Sequence, residues 1–468
     1  VSPTSMKRSS LRFAAAIAAM SLVVTACGAR WPAEQDSLAR AGGGDGLNDP
    51  ALPGGPQGQD PLNPNAPAPG GENPTTGPTV GPGEPTGGPS TRQPSIPVNA
   101  GPRPGVTATE INVCVLVPLT GASPIPTSWD KGANLYWDYL RKQGRSIFGR
   151  YVKLNVKDTE SQVASALAAA RECIAEKAFS FFTLDRLDVS RAVTQFLHDQ
   201  GFPNVAFQNG GVLETSKGAS QTNTFQINIG LLAQGRLVAD YMMTGDLAGK
   251  RYAIVHEDNK ENEEFTAALR GRMRERGTDV VTEETIDGQG NDYSSTVLRL
   301  KNADADVVFV ASAPTPFIKL AQQSQGAAYH PTWVGAAGWW CYNTVAQVGN
   351  SNGAMEGARS FSTWVALSSP AANEYKAAYK AMYPNETADD IGLVSWGIGE
   401  VLEAALRAAG PNLGHNTLRA ALQSLKVTPK TWSPQSFTPG SRIGSNKVLE
   451  FRIEGDHWKQ VGGYRSSF

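Results

Sequence analysis

The sequence predicts an α/β protein of two lobes, each a doubly wound parallel sheet, preceded by a long unstructured tether. Three observations carry this. From Thr109 to the C-terminus, strand-length apolar runs alternate with segments of helical period, the pattern of parallel strands joined by crossover helices. That stretch is about 360 residues, too long for one ordinary domain and suited to two. Ahead of it, residues 28 to about 105 are dominated by Gly, Pro, Asn, Thr and Ala.

The N-terminus reads as an export signal. Lys7, Arg8 and Arg12 form a basic segment and Phe13 to Val24 an apolar one. About a dozen apolar residues fall short of the ~20 that span a bilayer, so residues 1–26 are expected to be a signal peptide. It ends in Val24-Thr25-Ala26-Cys27-Gly28. Small residues before a Cys at this point resemble a bacterial lipobox, which predicts lipidation of Cys27 and anchorage at the outer face of the cytoplasmic membrane. Residues 27–108 then form the tether. Runs such as Pro64-Asn65-Ala66-Pro67-Ala68-Pro69-Gly70-Gly71 hold too little apolar surface to repay the entropy of ordering.

The elements follow in order. Ile111 to Val117 is an apolar run stopped by Pro118, the mark of a buried strand. A helix is expected over Ser128 to Gly144 and a strand over Tyr151 to Val156. Val163, Leu167, Ala170 and Ile174 recur at helical spacing, giving a helix from Ser161 to Lys177. Phe179 to Phe182 is a strand, Leu187 to Gln200 a helix closed by Gly201, and Asn204 to Phe207 a strand. A second series opens with a strand at Phe225 to Ile229 and a helix from Leu231 to Met243. Strands at Arg251 to Val255, Val280 to Ile286, Val307 to Ala311 and Thr332 to Gly335 alternate with helices. A strand at Ala358 to Trp364 and two helices follow, lined by Tyr375, Tyr379 and Met382, then by Ile391, Val394, Ile398 and Leu402. Leu449 to Ile453 and Trp458 to Val461 read as a closing hairpin. The expected lobes are 109–228, 229–360 and a return to the first lobe over 361–430, with 431–468 supplying hinge and hairpin.

Charge excludes some partners. Lys plus Arg is 42 against 43 for Asp plus Glu, so no basic field invites nucleic acid. The motifs searched for point to no enzyme, metal or cofactor. The five histidines show no H-x-x-x-H spacing, and neither G-x-S-x-G nor G-x-x-x-x-G-K-[ST] occurs. Gly397-Ile398-Gly399 lies inside a helix and reads as close packing. Asp389-Asp390 reads as the start of that helix, where negative charge suits the dipole. Once Cys27 is lipidated, Cys114, Cys173 and Cys341 remain. Cys114 and Cys173 fall on a strand and a helix of one lobe, so a disulfide is expected there, with Cys341 free.

Ligands of parallel sheets bind at the carboxyl ends of strands. The residues there are Thr120 and Ala122, Thr183 and Asp185, and Gln208, Asn209 and Gly210 in the first lobe. Asp258, Ser312, Ala337 and Trp339 stand in the second. Trp129, Trp339 and Trp340 are expected near the cleft.

Several of these segments resemble the Leu/Ile/Val-binding family of ABC-transporter solute-binding proteins. Val115-Leu116-Val117-Pro118-Leu119-Thr120-Gly121 looks like its opening strand and turn, followed by Gly132-Ala133 as helix entry. Asp158 with Ala164 to Arg171, Asp292-Tyr293-Ser294 with Ala305-Asp306-Val307-Val308-Phe309, and Gly357 look like later motifs. The resemblance spans 109 to 468. It implies a type I periplasmic-binding fold with a three-crossing hinge, and a monomer that binds a small solute and delivers it to an ABC permease. Family members that hold an amino acid usually place an acidic residue in a G-x-[ED]-G turn, where this chain has Ala337. An amide or aromatic solute therefore suits the sequence as well as an amino acid. A cell-envelope sensor or scaffold using the same fold is the alternative.

Overall fold

A computed structural model describes residues 99–121, 125–208, 213, 222–337 and 341–466. All of them lie in the second of the chain's two units, Thr91–Phe468. The expected signal peptide, Cys27 and most of the tether lie outside the described residues.

The first lobe is built on β1 (Glu110–Val117), β2 (Tyr151–Asp158), β3 (Ser180–Thr183), β4 (Asn204–Ala206) and β5 (Thr224–Gln226). The strand order is β2-β1-β3-β4-β5 and every pairing is parallel. Side chains alternate across a strand, and β1 shows the consequence. Ile111, Val113, Val115 and Val117 join one buried cluster, while Cys114 and Leu116 join another on the opposite face. That second face is covered by α2 (Val163–Ala175) and α3 (Leu187–Asp199), through Ala166, Ala170, Val193 and Leu197. Cys114 and Cys173 are joined by a disulfide between β1 and α2, with Cα atoms 6.0 Å apart.

The other face carries α1 (Ser128–Lys142) and α10 (Asp390–Ala408). These two helices approach closely through glycine. A Cβ on Gly132 would meet the Gly392 carbonyl oxygen at 2.1 Å, and one on Gly399 would meet the Tyr136 ring at 2.5 Å. A Cβ on Gly397 would lie 2.8 Å from Thr431 Oγ1 and 3.1 Å from the Trp432 ring. α9 (Asn373–Met382) adds Tyr375 and Tyr379 to the same cluster, and α11 (His415–Ser424) adds Leu418 and Leu422.

The second sheet has the order β14-β13-β10-β9-β8-β6-β7. Its parallel part is β6 (Tyr252–Glu257), β7 (Thr282–Ile286), β8 (Val307–Ala311), β9 (Thr332–Ala337) and β10 (Arg359–Ser362). Crossovers are α5 (Lys260–Glu275), α6 (Ser294–Asn302), α7 (Pro314–Gly326) and α8 (Asn343–Gly349), and α4 (Leu231–Met242) leads into β6. The closing hairpin, β13 (Val448–Glu454) and β14 (His457–Arg465), extends this sheet antiparallel from β10. A small pair, β11 (Lys426–Val427) and β12 (Gln435–Ser436), stands apart.

Several sequence expectations need correction. The strand at Phe225, read as opening the second series, pairs with β4 of the first sheet; its regular part ends at Gln226, and Ile227 N and Asn228 N still donate to Ala206 O and Phe207 O before the chain crosses over. α8 and α11 were not read from the sequence. Residues 99–108, placed in the tether, pack on the first lobe: His415 N donates to Pro102 O at 2.9 Å and Asn416 N to Ala100 O at 3.0 Å.

The chain passes between the lobes after β5, after β10 and before β13. These crossings are stitched together in a buried platform. Gln226 exchanges backbone hydrogen bonds with Arg442 and Gly444, at 2.7 and 2.8 Å. Ser433 N donates to Thr363 O at 2.6 Å, and Thr363 Oγ1 pairs with Asn228 Oδ1 at 2.9 Å. Trp432 Nε1 and Gln435 Nε2 both donate to Ile227 O. No helix among the described residues is long and apolar enough to cross a membrane.

Candidate functional site

The carboxyl ends of the strands are organised by carboxylates that tie turns. After β1, the chain turns through Pro118-Leu119-Thr120-Gly121 against the end of β2. Asp158 Oδ1 accepts from the backbone N–H groups of Leu119, Thr120 and Glu160, at 2.9, 3.2 and 2.9 Å. The Thr120 hydroxyl donates to Asp158 Oδ2 at 2.5 Å. Burial alone would raise this carboxyl, but the Thr120 hydroxyl and the three N–H donors hold it below the usual range. Gly121 sits at φ +96°, and a Cβ there would lie 2.0 Å from Glu160 O, so only glycine lets the turn close. Thr120 is therefore a turn-holding residue.

At the end of β3, Asp185 is buried. It accepts a close hydrogen bond from Thr159 and another from Arg186 N at 2.7 Å. Burial raises its pKa despite these donors. The Ser190 hydroxyl donates to the Asp185 carbonyl at 3.0 Å, fixing the first turn of α3. Thr183 is buried, and its Oγ1 accepts from Asn204 Nδ2 at 3.2 Å.

In the second lobe, Glu257 links the ends of β6 and β8, its Oε1 accepting from Ala313 N at 2.6 Å. Ser312 is buried and donates to Ala313 O at 2.9 Å. Asp258 is exposed beside them, and Asn259 caps α5 by accepting from Asn262 N at 2.9 Å. Ala337 ends β9, its backbone in register with Phe361. Ala122, Asn209, Gly210, Trp339 and Trp340 lie outside the described residues.

Residues of the two lobes also meet. Gln208, at the end of β4, donates from Nε2 to Glu261 Oε1 of α5 at 3.1 Å. Arg191 of α3 donates to both carboxylate oxygens of Glu264 at 2.9 Å. Asp390, at the start of α10, accepts from Asn343 N at the start of α8 at 2.5 Å. Burial pushes both Glu261 and Asp390 up to about 7. Asn343 Oδ1 accepts in turn from Trp458 N.

The aromatic residues divide. Tyr342 stacks on Trp364 with centroids 5.7 Å apart, at the hinge platform. Trp129 is buried in the first-lobe core, stacked on Phe182 at 5.9 Å. Cys341 is buried and its thiol donates to Phe361 O.

Sequence reasoning located Thr120, Asp185, Gln208, Asp258 and Ser312 at strand ends. It missed Asp158, Arg191, Glu261, Glu264 and Asn343 as organising residues. One signal was available for Glu261: Asn259 with acidic residues in the following turn marks a helix start directly after a strand. Arg191 had none, because its partner lies 73 residues away in the other lobe. Apart from the exposed Asp258, the hydroxyls and carboxylates described here are occupied in turns and lobe contacts.

A family model described as periplasmic binding protein matches residues 110–454. The Leu/Ile/Val-binding protein homolog 3 of Brucella melitensis biotype 1 is 24% identical over 309 residues, covering 64% of this chain and 80% of that protein. An ABC transporter substrate-binding protein from Sphaerobacter thermophilus superposes with a TM-score of 0.65 at 21% identity, covering 76% of this chain and 98% of the other. A solute-binding protein of an ABC transporter from Rhodopseudomonas palustris BisB5, in complex with 3,4-dihydroxybenzoic acid, superposes with a TM-score of 0.62 at 18% identity, covering 77% and 96%. The shared architecture is the type I periplasmic-binding fold.

Proposed function

The chain belongs to the periplasmic binding protein family, and we propose that it is an extracytoplasmic receptor whose lobes close on a small polar solute for an ABC importer. The observation that carries this reading is the pair of lobes on a three-crossing hinge, with α3 and the end of β4 of one meeting α5 of the other. A solute gripped by both lobes binds the closed form better than the open one, and so shifts the population toward it.

The strand-end loops supply the contacts in this reading. Asp185, Gln208, Asn209 and Gly210 act from the first lobe, with Ala122 beside the Thr120 turn. Asp258, Ser312, Ala337 and Trp339 act from the second. Ala337 brings no charge to pair with an ammonium group. An amide or aromatic solute therefore fits as well as a free amino acid. The relatives are consistent with either class, one being named for Leu/Ile/Val and another holding a dihydroxybenzoate. A lipid on Cys27 would keep the receptor at the outer face of the membrane.

Native mass spectrometry of the gently purified full chain tests the reading. A stoichiometric solute of small mass that is lost on unfolding is the expected result. A chain that holds no solute, and gains none from amino-acid and benzoate panels, would overturn it.

A further inference from the structure

Two contacts join the lobes at one place. α3 and the end of β4 belong to the first lobe, and α5 to the second. Arg191 grips both oxygens of Glu264 at 2.9 Å, and Gln208 reaches Glu261 at 3.1 Å. Glu261 and Glu264 are three residues apart on α5, hence on one face of the helix. That face meets the first lobe.

Among the described residues, the groups that act on Glu261 come from both lobes. From the first lobe come Gln208, Arg191 and Arg186, and from its own helix Glu264. Burial is the dominant influence on this carboxyl. The attraction of the two arginines and the Gln208 hydrogen bond do not cancel it. The Arg191–Glu264 pair is itself partly buried, so salt screens it less than a surface pair.

We propose that these contacts form a latch that holds the lobes together in the absence of solute, and that closing the latch takes up a proton at Glu261. The inference goes beyond the receptor reading, because it concerns the empty protein. Its physical basis is the difference between the two forms. When the lobes part, Glu261 returns to water and to the ordinary glutamate range. When they meet, it is half-buried against Gln208, with less water around its charge. The closed form then binds the proton more tightly, and the closed fraction rises as pH falls from above 7 toward the ordinary glutamate value. The bidentate Arg191–Glu264 contact joins the same two lobes beside it.

Electron–electron resonance distances between nitroxides test this. The labels sit on Asp199→Cys in the first lobe and Gly271→Cys in the second, both exposed positions. They are placed in the full chain carrying Cys27→Ala, with Cys341 buried. Without solute, a short-distance population at pH 5.5 should shrink several-fold at pH 8.5. Glu261→Gln should keep that population at both pH values. Arg191→Glu should deplete it at both, and adding Glu264→Arg should restore it. A distance distribution that does not change with pH, or a pH response that survives in Glu261→Gln, overturns the proton step. An Arg191→Glu variant indistinguishable from its parent overturns the latch. Since no solute is used, either result leaves the receptor reading to its own test.

Discussion

Trp364 and Trp432 stand on different crossings between the lobes, with ring centroids 5.6 Å apart and a backbone bridge joining them. Phe207 of the first lobe packs on both rings, and Tyr342 of the second stacks on Trp364. The hinge is therefore a filled aromatic core. Trp432→Ala should lower the unfolding free energy by ~3–5 kcal/mol, as expected for emptying such a volume. Urea denaturation followed by circular dichroism measures it, and a loss under ~1 kcal/mol would mean the platform collapses without cost.

The turn after β1 depends on Asp158. Asp158→Ala leaves three N–H groups and the Thr120 hydroxyl without their acceptor, which should cost ~1–3 kcal/mol. Thr120→Ala removes one donor of four and should cost less. Thermal unfolding of both variants checks the order; Thr120→Ala as the more damaging change would contradict the geometry.

His415 is buried between Phe179 and Phe202, and its Nε2 has no hydrogen-bond partner among the described residues. Burial depresses its pKa to about 4. The folded form therefore resists protonation while the unfolded chain accepts a proton near 6.5. The neutral ring's contribution is intact above 6.5 and is lost as pH falls from 6.5 toward 4. His415→Phe should flatten stability over that window by ~1–3 kcal/mol. Identical pH profiles for both proteins in chemical denaturation would refute this.

The Cys114–Cys173 bond closes a loop of 59 residues within the first lobe. Replacing both by alanine should cost ~2–4 kcal/mol. Peptide mapping without reduction should recover the two segments as one linked species. Two separate free-thiol peptides would refute the pairing.

On the receptor reading, Asn209→Ala and Trp339→Ala should each weaken solute binding about tenfold or more. Calorimetry with the co-purified solute decides, and unchanged affinity in both well-folded variants would place the site elsewhere. Lipidation is checked apart from this: fatty-acid labelling that is equal in wild type and Cys27→Ala would remove Cys27 as the anchor.

Period and punctuation made most of the fold legible. Val113, Val115 and Val117 alternate with Cys114 and Leu116 without a polar break, so β1 had to be covered on both sides, and α1 and α2 supply those covers. Boundaries were less legible. Ile227, Asn228 and Ile229 alternate like a strand, yet they belong to the hinge, where Ile227 O takes hydrogen bonds from Trp432 and Gln435, more than 200 residues away.

What the sequence by itself determined was therefore local. The alternation of strands and helices, the strand-end positions of Asp185, Gln208, Asp258 and Ser312, and the close helix packing at Gly397 to Gly399 follow from spacing and side-chain size. What only the tertiary structure decided was pairing. Thr120 looked like a free hydroxyl until Asp158 was found accepting from it. Nothing along the chain marks the partners of Glu261 and Glu264, Gln208 and Arg191, which come from the other lobe. A polar side chain's role depends on which donor or acceptor reaches it, and on how much water is left around it. Both depend on three-dimensional proximity, which carries no periodic signature along the chain.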